Sequence, residues 1–221
     1  MKPTAVIADM AGTTVRDDGV VLGAFADALD VLGVSDVAER AEALDYVVAT
    51  MGQSKIEVFT ALFGAERAPR ANDAFEETYR SRIDRDGVEP MVGVPELFRS
   101  LDAASVPIAL TTGFSTSTRQ VLVDALGWQG IVRTAISPSD AGRGRPYPDM
   151  ILLALARLGI DDPRSAMVVG DTASDMAAGS AAGVGWVVGV LTGTDDRERL
   201  VAAGATQVLE SITQIEGLWE D

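Results

Sequence analysis

Three aspartates can share one site if two strand ends meet. Asp9 closes the apolar run "TAVIAD" (4–9), Asp171 closes "SAMVVGD" (165–171), and Asp175 follows one helical turn later. Two unit charges about 4 Å apart repel by roughly 4 kcal/mol at an effective dielectric of about 20. A hard divalent cation relieves that repulsion, and Mg²⁺ suits a site with few carboxylates, retained waters and a phosphate oxygen. Taken singly, Asp171 also reads as a helix N-cap and Asp175 as a first-turn charge. Their pairing with Asp9 is what favours a metal.

Groups suited to an anion lie nearby in the pattern. Thr112 and Gly113 follow "VPIALTT" (106–112) and offer a hydroxyl and an unobstructed N–H. Ser115 and Thr116 open a helix whose N-terminus favours an anion, although "TTGFSTST" (111–118) also reads as a turn and a cap. Arg145 lies in the stiff loop "GRGRPYP" (142–148), and arginine grips phosphate with a planar fork. Arg143 reads as its solvated neighbour. A carboxylate, a divalent metal, a hydroxyl and a fixed cation form a set for phosphoryl transfer. In it Asp9 attacks phosphorus, and metal and arginine stabilise the transferring charge.

The elements that must position these groups alternate. Short apolar runs at 4–9, 106–112, 131–137, 165–171 and 185–190 read as buried strands, with 205–210 as a sixth. Helical patterns at 94–104, 115–127, 148–159, 173–183 and 195–204 separate them, several ending at glycine. The expectation is an α/β fold, a Rossmann-like parallel sheet with right-handed crossovers and helices on both faces. Ligands then bind beyond the carboxyl ends of the strands. One stretch breaks the alternation. Residues 21–32, 37–50, 54–64 and 71–84 all read as helix, giving an all-helical cap inserted after the first strand. "RDDG" (16–19) and "RDGVEP" (85–90) serve as its linkers. The expected domains are a core of 1–16 plus 90–221 and a cap of 17–89.

Composition narrows the chemistry further. The chain has 221 residues, 47% of them apolar, and no cysteine or histidine. Thiolate catalysis, disulfides and cysteine-held metals are excluded. General acids and bases must be carboxylates, lysine, tyrosine or water. A formal charge of −15 argues against nucleic acid as a partner. With no long apolar run and no signal-peptide pattern in "TAVIADM", the expectation is a cytoplasmic protein with no membrane span. Sixteen arginines stand against two lysines, Lys2 and Lys55, so Lys55 is conspicuous in staying lysine.

"DMAGT", "TTG", "RPYP" and "GDTASD", in this order around a helical insertion, resemble the haloacid dehalogenase superfamily of phosphotransferases. The resemblance spans nearly the whole chain. It implies Asp9 as nucleophile and Mg²⁺ held by Asp9, the Ala11 carbonyl and Asp171 with help from Asp175. It implies phosphate held by Met10, Thr112, Gly113 and the third-motif cation, here Arg145 where lysine is usual. Ordinary members carry an acid at the position of Ala11 that protonates the leaving alcohol. Alanine there and arginine in the third motif resemble the phosphonoacetaldehyde hydrolases (phosphonatases), which cleave a carbon–phosphorus bond and carry a cap lysine in a Met-Gly-x-x-Lys setting. The match here is "MGQSK" (51–55), which brings Met51 and Gly52 to the substrate beside Phe114, at a position that is often tyrosine. Relatives are often dimers through the cap, so a homodimer is implied.

The chemistry implied for Lys55 is a Schiff base with a small-molecule 2-oxoalkylphosphonate. The imine acts as electron sink, so Asp9 displaces an enamine and no acid is needed at position 11. Lys55 must be neutral to attack, and bringing its pKa from ~10.4 to near 7 costs roughly 4–5 kcal/mol. Desolvation under the cap, Arg145 and the metal would supply it. Phosphonatases carry a histidine three residues after the lysine; here Val58 stands there. Proton exchange is left to water, Glu57 or the substrate's phosphonyl group. Two other readings stay open: a phosphomonoesterase of the same superfamily, similar to phosphoglycolate phosphatases, and a non-catalytic protein binding a phosphate ligand.

Overall fold

The computed structural model describes residues 2–218. Among them, six strands form one parallel sheet: β1 (Ala5–Asp9), β2 (Ile108–Thr111), β3 (Thr134–Ile136), β4 (Ala166–Gly170), β5 (Trp186–Val190) and β6 (Gln207–Leu209). Their order is β3-β2-β1-β4-β5-β6. The chain runs outward from β1 to β3, then returns to place β4 on the other side of β1. A crevice opens where the order reverses, at the carboxyl ends of β1, β2 and β4. The strands alternate between two apolar cores. Val6 and Ala8 of β1, with Met167 and Val169 of β4, enter one. Ile7 and Val168 enter the other, under the helices Asp149–Leu158 and Ala173–Ala182.

Three helices fill the insertion after β1: α1 (Val20–Val31), α2 (Val37–Ala49) and α3 (Lys55–Asp86). The sequence predicts separate helices over 54–64 and 71–84, and α3 is indeed broken at Gly64 (φ 77°, ψ 162°). Helix resumes at once after the break, earlier than predicted. Pro69 near the restart gives up one backbone bond, but its fixed φ is helical. Phe25, Phe59 and Phe75 hold α1 against α3, with ring centroids 4.5–6.1 Å apart. The two crossings between sheet and cap lie side by side: the Arg16 N–H donates to the Glu89 carbonyl, and the Met91 N–H to the Thr14 carbonyl. The remaining helices are α4 (Val94–Ala103), α5 (Thr116–Ala125), α6 (Pro138–Ala141), α7 (Asp149–Leu158), α8 (Ala173–Ala182) and α9 (Arg197–Ala202). No described helix is long and apolar enough to cross a membrane.

Candidate active site

Asp9 ends β1 at the centre of the sheet, and the residue is 5% exposed. The chain turns sharply after it. The N–H groups of Thr13, Thr14 and Val15 all donate to the Met10 carbonyl, and the Thr14 hydroxyl donates to the Asp9 carbonyl. Gly12 sits in this turn at φ 85°, where a Cβ would press on the Asp171 carboxylate. Asp171 follows β4. It accepts from the Thr13 hydroxyl (2.9 Å) and the Thr194 N–H (2.9 Å). It is not the cap of α8. Thr172 takes that place, in a reciprocal capping box with Asp175. Asp9, Asp171 and Asp175 are all buried and each offers a carboxylate oxygen within 4.8 Å of the others.

Arg145 is 3% exposed and is the cation nearest this cluster. Its Nη1 donates to Asp9 (2.5 Å) and also pairs with Asp175. Its buried Nε has no hydrogen-bond partner among the described residues. Burial opposes the charge on Arg145, but Asp175 and Asp9 outweigh it and hold the guanidinium firmly protonated. The same burial, with Asp175 adding repulsion and Arg145 opposing, pushes Asp9 up to about 6. Asp171 is raised well above the usual carboxylate range by burial, Asp9 and Asp175. One guanidinium leaves this cluster short of positive charge. Three buried hard oxygen donors, with the Asp9 and Asp171 carboxyls raised, are the set a divalent cation such as Mg²⁺ fits. The Ala11 carbonyl, which accepts no hydrogen bond among the described residues, is a fourth oxygen on the same wall.

Lys55 reads from sequence alone as a helix lysine that could lie in solvent, but the structure buries it at 6% exposure. It is the first residue of α3, and its N–H donates to the Gly113 carbonyl (3.3 Å). Its ammonium lies over the rings of Phe25 (5.5 Å) and Phe114 (5.6 Å). Burial pulls the amine down to about 8, with Arg145 adding to the effect and Asp9, Asp17 and Glu76 opposing it. A cavity of about 30 Å³ joins Lys55 to Asp9, Ala11, Met51, Gly52, Thr112, Gly113, Phe114, Arg145 and Asp171. That volume suits a few waters.

The loop carrying "MGQSK" is seated on the core. The Ser174 hydroxyl donates to the Met51 carbonyl (3.0 Å), and a Cβ on Gly113 would run into the Gln53 carbonyl. Thr112 Oγ1 accepts from the Phe114 N–H (3.2 Å), which leaves its own proton to donate. Met10 does not line the cavity. Its side chain is core, and its N–H serves the Asp9 carboxylate. Asp175 likewise stands behind Arg145 and off the cavity wall.

Two readings are corrected. The N-terminus of α5 already holds an anion. Glu76 of the cap accepts from both the Ser115 N–H (2.9 Å) and its hydroxyl (2.7 Å), so Ser115 is a cap–core clasp, while the Thr116 hydroxyl pairs with that of Ser139. Arg143 is exposed, in line with its solvated reading, and pairs at the surface with Asp149 (2.9 Å) and stacks over Tyr147. Glu57 is exposed and not on the cavity wall. Sequence reasoning also missed Asp17, Thr172 and Thr194 on that wall. Asp17 lay inside a polar stretch read as a linker, and only its place ahead of a helix set it apart.

The chain matches the haloacid dehalogenase-like hydrolase family over residues 3–183 and belongs to it. It is 30% identical to a phosphonoacetaldehyde hydrolase of Bacillus cereus, in an alignment covering all of this chain and 96% of that protein. The fold is shared with a phosphonoacetaldehyde hydrolase-like protein from Oleispira antarctica (TM-score 0.83, 24% identity, covering 99% of this chain and 91% of that one). It is shared too with a putative phosphoglycolate phosphatase from Lactobacillus delbrueckii subsp. bulgaricus (TM-score 0.79, 20% identity, 99% and 98%).

Proposed function

We propose that this hydrolase cleaves the carbon–phosphorus bond of phosphonoacetaldehyde or a related 2-oxoalkylphosphonate. The observation that carries the reading is the burial of Lys55 in one cavity with Asp9, a burial that draws the amine down to about 8. Similarity to the Bacillus cereus phosphonoacetaldehyde hydrolase supports it.

In this reading the neutral Lys55 amine adds to the substrate carbonyl, and loss of water leaves an iminium. An Asp9 oxygen then attacks phosphorus. The C–P bond electrons flow into the iminium to give an enamine, and an aspartyl-phosphate remains on Asp9. Water hydrolyses the acyl phosphate, and a proton on carbon followed by water releases the aldehyde from Lys55. Thr112, Gly113 and the unpaired Arg145 Nε offer donors to the phosphonyl oxygens. Asp9, Asp171 and the Ala11 carbonyl would hold Mg²⁺, with Asp175 behind, and the bound ion supplies charge neutralisation for the phosphonyl group. The cap, residues 17–89, moves to admit substrate and closes to exclude water.

Borohydride added with phosphonoacetaldehyde tests this. The expected result is a mass increase on the peptide carrying Lys55, together with phosphate release without borohydride. No adduct and no phosphate over a panel of 2-oxoalkylphosphonates refutes it. A Lys55→Arg variant that keeps full activity on phosphate monoesters points instead to an ordinary phosphomonoesterase.

A further inference from the structure

Lys55 must exchange protons in a small cavity beneath the cap, in a chain with no histidine. The carboxylates on the cavity wall are Asp9, Asp171 and Asp17. Asp9 is committed to phosphorus and Asp171 to the metal in the reading above. Glu76 is bound by Ser115, and Glu57 faces away. Asp17 remains.

Its placement is distinctive. Asp17 lines the inner cavity with Lys55 and also two larger spaces outside it. One, of about 340 Å³, is bounded by Ala11, Met51 and the 192–194 loop. The other, of about 180 Å³, lies at the hinge against Tyr79 and Arg82. Asp17 is half-buried where these spaces meet. Oδ1 accepts the Val21 N–H (2.9 Å) at the start of α1. Oδ2 has no hydrogen-bond or ion-pair partner among the described residues. The charged groups around it are Lys55, Arg145, Asp9 and Asp171 on the inner wall, Asp18 beside it and Arg82 on the hinge side, the last paired with Asp27. Burial raises the Asp17 carboxyl, and the Val21 N–H and Lys55 draw it down.

We propose that Asp17 is the proton-exchange residue for Lys55, linking the small inner cavity to the larger spaces beside it; this rests on the imine reading above. When Lys55 has added to the carbonyl, protonated Asp17 gives its proton to the carbinolamine hydroxyl. The nitrogen lone pair forms the C=N bond, water leaves, and Asp17 becomes a carboxylate. After C–P cleavage, Asp17 reprotonated from solvent delivers a proton to the enamine carbon. Its carboxylate then takes a proton from the water that adds to the product iminium.

Asp17→Asn keeps an oxygen to cap Val21 and removes the titrating group. With phosphonoacetaldehyde and the full-length protein, the expected result is a 10²–10³-fold fall in kcat. KM changes little, and the rate of borohydride trapping at Lys55 falls in parallel. Formate restores part of the rate. Asp17→Ser, which also caps a helix, behaves alike and covers the case of a poorly folded Asn variant. Wild-type trapping rates and pH profile in both variants overturn the relay alone. A slow variant with the wild-type pH profile and no rescue by formate gives Asp17 a structural role and also overturns it. No adduct in the wild type overturns the imine reading and the relay with it.

Discussion

Replacing Lys55 with methionine should make the protein more stable and inactive. The amine falls from 10.5 in the unfolded chain to about 8 in the folded one, chiefly because it is buried. The folded chain at pH 7 therefore carries the ammonium at a cost of about 3 kcal/mol, taking about 1.4 kcal/mol for each pH unit. Methionine removes that cost, fills a similar volume and places sulfur against the Phe25 and Phe114 rings. A domain of this size gains roughly 2–4 °C per kcal/mol, so Tm should rise by roughly 6–12 °C at pH 7. The pH dependence gives the sharper test. Between pH 8 and 10.5 the unfolded wild type binds the proton that the folded one has lost, so wild-type stability rises with pH across this window. The gap between the two chains should close by pH 10.5, and other titrating groups cancel in the difference. Denaturant melts in EDTA at pH 7, 8.5 and 10 measure it. A variant less stable than the wild type, or a gap that stays constant with pH, refutes the argument that burial discharges Lys55.

Glu76→Gln should weaken the cap–core clasp. It keeps one acceptor for Ser115 but loses the charge at the α5 N-terminus, costing about 1–2 kcal/mol in thermal melts. Removing an anion that holds the Lys55 proton should also move the acid limb of the activity profile to lower pH. Asp9→Asn should release no phosphate yet still be trapped at Lys55, now with the phosphonyl group on the adduct by mass; phosphate release from this variant would remove Asp9 from the role of nucleophile. Mg²⁺ at about 100 times its Kd should stabilise the protein by roughly 2.7 kcal/mol, read as a rise in Tm, and Asp171→Asn should abolish the rise.

The core was readable because its signals are local. Each strand is a short apolar run, and each polar group of interest follows one directly: Asp9, Thr112 and Asp171. Once parallel strands are inferred, the crevice follows from topology, with no need to know which strands pair. The cap was harder. Helical spacing found α1, α2 and both halves of α3, but not which cap residues face the core. Glu76 looks like any surface glutamate in sequence. Only packing shows that it fills the helix N-terminus expected to take phosphate. Asp17 was hidden for the opposite reason: a polar run with glycine reads as a hinge, and a hinge residue can still turn its side chain into the site.

The charge balance of the cavity gives Ala11 a physical meaning. The inner wall already gathers Asp9, Asp171 and Asp17 against Arg145 and Lys55. Burial raises Asp9 and Asp171 while lowering Lys55, so the site is strained toward neutral acids and a neutral amine. A further carboxylate at position 11 would face the same cavity. Its negative charge would hold the proton on Lys55, the state in which the amine cannot attack a carbonyl. In the imine reading proposed above, an acid that helps an alcohol leave is in direct conflict with a lysine that must be neutral. Alanine keeps the backbone carbonyl available to a metal and removes the charge. In that reading the absence of the acid and the burial of the lysine are two parts of one electrostatic arrangement.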